Sequence, residues 1–520
     1  MKDNKLTTLA LSAMLAVTSA QAVDALHGKT VLDTKCVACH TGTSATGLSR
    51  IADQRKTPEG WYMTLERMKR HGLALSADEA RDVIKYLSDT QGLAPEEIRP
   101  FRYVLDQTPG VIEPNVDPKL EEMCVRCHSE ARIGLQRRTA EEWNLLANYH
   151  VATFSSFEIQ ALARDRDWFG IVQKETAPYL GERFGKETKA WSAWKPVAPS
   201  VTVAGDWNVL GHAVGRGDYV ARISLSKNKD DSYTMKMTGK YADNKPLNAS
   251  GEAILYTGTE FRASLTLDGT DVRQVLHYDP TTGILEGRMF PVEHPELGSD
   301  LRAQRSDAGA SILGVTPTAL KSREAATLTI VGSRLEGKIV LGDGMKLNKI
   351  VSRDADRIVV NVTPLKRKGA SAQTIKVGEA GGEVILYDNV EKIEILPAYV
   401  VARVGGGHST KQLAAFEAHG FAQGANGPID LGMVPGVSWK VDNFDEQAAE
   451  DKDAIYAGTM DAKSGVFTPA EAGRNYKRKW GTNNAGRLSV IGTYPNDGTA
   501  LTSKAELIVT VQKWVNPPIQ

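Results

Sequence analysis

From Val23 to about Trp194 apolar residues recur at helical spacing and turn residues are sparse. Trp61, Leu65 and Met68 fall on one stripe, Ser76 followed by Glu79 is a helix-start signal, and Val83, Ile84 and Leu87 continue the next stripe. The spacing predicts an α-rich region. At Trp194-Lys195-Pro196-Val197-Ala198-Pro199 two prolines mark a linker, and the period changes beyond it. Tyr219, Ala221, Ile223 and Leu225 alternate with polar neighbours, as do Tyr233, Met235 and Met237, and then Phe261, Ala263, Leu265 and Leu267. Short strands at this spacing predict an antiparallel barrel or sandwich.

A further β unit is expected from Ala308, with Ala326 to Gly332 and Arg357 to Val362 as strands, in the size and rhythm of an immunoglobulin-like sandwich. Leu396-Pro397 is expected to close it. The runs Tyr399 to Val404 and Ala505 to Val511 predict another sandwich, and Gly405-Gly406-Gly407 reads as a turn rather than a phosphate loop. The N-terminus reads as an export leader: Lys2 and Lys5, an apolar run from Leu6 to Val17, and Ala20-Gln21-Ala22 as cleavage site. The expected organisation is therefore a leader over 1–22, an α-helical region over 23–194, a barrel-like β domain over 195–307, and two immunoglobulin-like sandwiches over 308–396 and 397–520. The mature protein is expected to start at Val23 in the periplasm, with no lipid or membrane anchor.

Composition narrows the chemistry. The chain has 520 residues, 41% hydrophobic and 24% charged, enough for several packed cores. Lys plus Arg number 63 and Asp plus Glu number 63, so no basic excess exists to hold a phosphate backbone, and nucleic acid is not an expected partner.

The four cysteines all fall in two copies of one pattern, Cys36-Val-Ala-Cys39-His40 and Cys124-Val-Arg-Cys127-His128. Cys-x-x-Cys-His is the attachment motif of a c-type haem: two thiols become thioethers on the porphyrin edge and the adjacent imidazole reaches the iron. Two covalently bound haems c are expected. A redox dithiol and a zinc site built from both pairs are the competing readings. Electron-transfer haems carry two protein ligands, and aligning the halves supplies the second of each pair. Trp61 lies over Trp143 and Met68 over His150, each seven positions after its tryptophan. The expected ligand pairs are His40 with Met68 and His128 with His150; Met63 and His71 are rivals to Met68, and Met123 to His150. The two tryptophans are expected against the porphyrin edges. A thioether ligand raises the potential relative to two imidazoles, so electrons should pass from the second haem to the first. His212, His277, His294, His408 and His419 are scattered and are expected to be loop or surface residues rather than ligands.

With these motifs ahead of three β units, the chain resembles the alpha subunit of quinohemoprotein amine dehydrogenase. That resemblance implies a di-haem subunit standing beside a propeller-type subunit and a very small subunit that carries a cysteine-tryptophan quinone. In the family the quinone oxidises primary amines, and this subunit passes the electrons to a blue copper protein or a cytochrome c. All four cysteines here are used by haem motifs, so a quinone of that kind is expected on a different chain. The alternatives are a di-haem peroxidase, which needs a displaceable ligand at one iron, and a haem-bearing binding protein.

Overall fold

The helical spacing of the first third produces α1 (Ala25–Lys35), α2 (Pro58–Arg70), α3 (Ala77–Thr90), α4 (Ala140–Thr153), α5 (Ala177–Arg183) and α6 (Lys189–Trp194), with shorter turns between them. The computed structural model describes residues 23–154, 166–496, 498–513 and 518–519, so the expected leader lies outside the described residues. The start signal at Ser76 is a full capping box: the Ser76 hydroxyl accepts from the Glu79 N–H, and the Glu79 carboxylate accepts from the Ser76 N–H. Val83 and Leu87 of α3 pack with Val31 and Leu32 of α1 and with Trp61 and Leu65 of α2.

Beyond the linker the alternation closes on itself. Strands β3 (Gly205–Ala213), β4 (Gly217–Lys227), β5 (Ser232–Tyr241), β6 (Pro246–Tyr256), β7 (Glu260–Leu267), β8 (Thr270–Asp279), β9 (Ile284–Pro291) and β10 (Ser299–Arg305) form an eight-stranded antiparallel barrel in which β10 pairs with both β9 and β3. Tyr219, Ala221, Ile223 and Leu225 all point inward, where Trp207, Met235, Met237 and Phe261 fill the lumen. The barrel is thus a packed support rather than a channel.

The chain continues as two further β regions. Two four-stranded sheets between Ser311 and Tyr387 bury one core between them, with Ile330, Ile358 and Val360 from one sheet meeting Ile375, Val377 and Val384 from the other. The last region gathers sheets of three, four and three strands around Trp439, Phe416, Phe467 and Leu507. Leu396-Pro397, expected between these regions, follows a strand (Lys392–Leu396) that pairs with Glu417–Gly424, and Ile395 packs in the last core. By hydrogen bonding, residues 392–396 go with the last region. Gly406 and Ser409 exchange backbone hydrogen bonds, which makes the triple glycine a tight turn.

The barrel holds the helical region firmly. Arg102 and Arg262 converge on the buried Glu260, Arg262 also reaches Glu59 at 2.5 Å, and the Trp194 indole donates to the Thr257 carbonyl at 2.8 Å. Leu93, Ile98, Leu105 and Leu135 pack against Val275 and Phe290 of the barrel, with Ile519 in the same cluster. The side chains of the helical region are therefore fixed against a second core. No helix among the described residues is long and apolar enough to cross a membrane.

Candidate haem-binding site

Two three-residue strands, β1 (Gln54–Lys56) and β2 (Gln136–Arg138), pair antiparallel with Arg55 opposite Arg137. This register makes the two halves of the helical region equivalent about a local two-fold axis. In each half the last strand residue donates its N–H to a helix-terminal carbonyl, Lys56 to Gln91 at 3.0 Å and Arg138 to Phe184 at 3.1 Å. The same carbonyl accepts the indole of the following tryptophan: Trp61 to Gln91 and Trp143 to Phe184, both 3.3 Å. A cation caps each indole, Lys56 Nζ at 5.1 Å from the Trp61 ring and the Arg138 guanidinium at 5.6 Å from that of Trp143. Thr57 and Thr139 then start α2 and α4 as N-caps. The alignment of Trp61 with Trp143 thus has a hydrogen-bonded cause, which fixes the helices bearing Met68 and His150.

One carboxylate sits on the axis. Glu97 accepts from Arg55 at 2.9 and 3.0 Å and from Arg137 at 3.0 Å. Burial works against its charge, but the hydrogen bonds from Arg55 and the charges of Arg137 and Arg55 outweigh it and hold the carboxyl below its usual range.

The motif cysteines lie on tight turns. Cys39 N–H donates to the Cys36 carbonyl at 3.1 Å, and Cys127 N–H to the Cys124 carbonyl at 3.4 Å. Cys36 is buried with Leu65, Leu32 and Leu48, whereas Cys124 is half-buried, Cys39 and Cys127 are exposed, and none is in a disulfide. Burial raises the thiol of Cys36 and pushes that of Cys124 up to about 12. The two pairs belong to different halves, and among the described residues no group of three or more His, Cys, Asp or Glu side chains gathers that could hold a bare metal ion.

The second motif faces a cavity of about 370 Å³ lined by Cys124, Cys127, His128, Trp143 and His150. His128 Nδ1 lies 2.9 Å from the Ser129 carbonyl and His150 Nδ1 lies 2.7 Å from the Leu146 carbonyl. A carbonyl only accepts, so Nδ1 carries the proton in both rings and the lone pair is on Nε2. Burial depresses both imidazoles, His128 to about 4, which keeps them neutral as an iron ligand must be. His40 is set in the same way, with Nδ1 at 2.8 Å from the Ser49 carbonyl. These residues fit a haem: a slot of apolar walls, two thiols at one edge, and imidazoles held in the ligating tautomer.

Met68 is half-buried, one helical turn beyond Leu65 on the stripe that packs with Cys36. Its rivals lie elsewhere. His71 is exposed with its ring 6.4 Å from that of Tyr149, and Met63 lines the second cavity. Met123 is buried in the same wall, held by the Trp168 indole donating to its carbonyl at 2.8 Å.

Several contributors were not singled out by sequence reasoning. Tyr62, Glu66 and Arg67 of α2 line the second cavity together with Met63, which the sequence offered only as a rival to Met68, while Trp61 and Leu65 face the first core, so α2 is a wall shared by both sites. Arg132 also lines the cavity, and burial and the charge of Arg67 lower its guanidinium to about 10. Three of the scattered histidines, His212, His277 and His419, lie on strands. All three are half-buried and each pairs with a carboxylate, His212 with both Asp218 at 2.6 Å and Glu417 at 3.0 Å, His277 with Glu286 at 3.4 Å, and His419 with Asp430 at 2.9 Å.

Comparison with known proteins follows the same division. Solved structures resemble parts of this chain only weakly. A redesigned β-barrel, mFAP1, bound to DFHBI shares 17% identity over 20% of this chain and 94% of that one, with a TM-score of 0.18. Domains 5–6 of the S-layer protein SbsC share 14% over 39% and 99%, with a TM-score of 0.16. Yersinia pseudotuberculosis InvD shares 11% over 40% and 58%, with a TM-score of 0.14. No curated protein matches. Family models, by contrast, match nearly end to end: the haem-binding domain of the quinohemoprotein amine dehydrogenase alpha subunit over residues 26–191, its domain II over 200–306, domain III over 309–388 and domain IV over 393–519. A haem-binding helical region, a closed barrel and two further β domains, in that order and over essentially the whole chain, place this protein in the quinohemoprotein amine dehydrogenase alpha subunit family.

Proposed function

We propose that this chain is the electron-transfer subunit of a periplasmic amine dehydrogenase, carrying two covalent haems c on Cys36/Cys39 and Cys124/Cys127. The observation that carries the reading is the cavity where Cys124, Cys127, His128 and His150 converge with both imidazoles in the tautomer that presents Nε2. Each bound haem would supply a one-electron Fe(III)/Fe(II) couple. The residues of the chain hold and tune it. His40 and Met68 serve the first iron, and His128 and His150 the second; the thioether of Met68 favours the ferrous state and sets the direction from second haem to first. Helix α2 keeps the two sites adjacent, since one face closes the first core and the other lines the second cavity. Neutral imidazoles at His128 and His150 require no deprotonation at working pH.

In this reading a protein-derived quinone on a small neighbouring subunit oxidises the primary amine, and a propeller-type subunit completes the complex. Electrons leave to a blue copper protein or cytochrome c. The two β regions after the barrel are proposed to be immunoglobulin-like, and residues 1–22 an export leader cleaved after Ala22. The test is purification of the native protein with haem staining and intact mass. Two haems on this chain and co-purification with a propeller-sized and a very small quinone-bearing chain are expected. Amine-dependent reduction by the isolated chain alone would overturn the assignment.

A further inference from the structure

In the helical region the buried arginines come with carboxylates. Arg55 and Arg137 share Glu97, Arg138 pairs with Glu142, and the half-buried Arg102 pairs with Glu260. Arg67 and Arg132 are exceptions. Both are half-buried, both line the cavity of the second motif, and among the described residues neither forms an ion pair or a side-chain hydrogen bond. Arg67 lies only against the ring of Tyr149, at 5.4 Å. Glu66, the carboxylate in the same wall, is occupied by Lys69 at 2.7 Å. Two guanidinium groups facing one slot without an anion are costly unless the slot's occupant supplies the negative charge. A haem brings two carboxylates of its own, its propionates.

We infer that Arg67 and Arg132 are the propionate-binding residues of the second haem, so that α2 serves the first haem through Met68 and the second through the adjacent Arg67. This rests on the reading of the cavity as a haem site. Its consequence is electrostatic: two cations beside the propionates offset their charge and favour the ferrous state, which lifts the potential of a haem that two imidazoles would leave low. Beside the first core the buried cation is Lys56, which is held by the Thr64 hydroxyl at 2.5 Å, lies over the Trp61 ring and has its pKa lowered by burial well below the usual lysine range.

The experiment is spectroelectrochemical titration of the full chain carrying both haems, comparing Arg67→Gln, Arg132→Gln, the double variant and the Lys replacements. Each Gln variant should shift the Fe(II)/Fe(III) ratio of the second haem about tenfold toward ferric at fixed potential, about 59 mV for a one-electron couple. Lysine should restore most of it. A second haem fully present by mass whose potential stays within error of wild type in both Gln variants would overturn the inference. Should the Gln variants fail to load the haem, the Lys variants decide. Loading with near-native potential supports charge pairing, whereas loss in Lys and Gln alike shows that the positions supply shape and refutes it. Wild-type chain with no haem at Cys124 and Cys127 would instead sink the haem reading of the cavity.

Discussion

The two halves of the helical region are built on one backbone plan and differ in their charge. Both use a short strand, a threonine N-cap, a tryptophan bound to a helix-terminal carbonyl, and a candidate ligand seven residues on. Around the first site the walls are aliphatic, with Leu32, Leu48, Ile51 and Leu65, and its buried cation is driven toward neutrality. Around the second stand Arg67, Arg132 and the Arg138–Glu142 pair. A duplicated scaffold therefore places Met68 and His150 at equivalent positions, and the two halves differ in the charges around them.

Covalent attachment gives the largest separation of the halves. Replacing Cys124 and Cys127 by Ala should remove one haem and leave the other, and replacing Cys36 and Cys39 should do the reverse, each read as one haem mass lost. If both haems vanish together in either variant, the halves do not load independently.

Glu97 ties the halves together, so its removal should hurt both. Glu97→Ala leaves Arg55 and Arg137 buried without their anion and should cost about 3–5 kcal/mol in denaturant unfolding. A loss below about 1 kcal/mol would mean the carboxylate on the axis is replaceable.

Trp61 and Trp143 are 1% and 4% exposed, and each holds its half together by the same bond. Trp61→Ala and Trp143→Ala should each cost about 3–5 kcal/mol. Near-equal costs sharpen the equivalence, and a large disparity breaks it.

Ligand replacement reads the difference between the halves directly. Met68→Ala should abolish the far-red sulfur-to-iron band and lower the first haem's potential, leaving the second unchanged. His150→Ala should let the reduced second haem bind carbon monoxide. If His71→Ala rather than Met68→Ala removes the band, the first ligand is misassigned.

The smallest effect is in acid. Glu97 has a folded pKa held below its unfolded value, so its contribution is fully present above about pH 4.3 and is lost as pH falls through the lower folded value. Glu97→Gln should flatten the stability profile below about pH 4 relative to wild type. An unchanged acid limb would show that other carboxylates govern it.

Local information carried far in this chain. The two motifs fix where haem can attach, because bond chemistry ties two thiols and an imidazole at that spacing to one porphyrin, and the period change at Trp194 separates helices from strands. The alternation of Tyr219, Ala221, Ile223 and Leu225 was enough to orient a barrel strand, since side chains on a pleat must alternate. Other features depend on which groups meet across the fold. Arg67 reads in sequence like any solvated helix arginine beside Glu66, Lys69 and Arg70, and only packing against α4 turns it toward the second cavity. His212 meets Asp218 across the β3–β4 hairpin, but only the packing of the last β region brings Glu417 to its second nitrogen. The sequence by itself determined where two cysteines and a histidine stand together and the period of each region, which act through neighbours along the chain; tertiary structure decided which distant charges are paired, since burial and partnership there join residues far apart in it.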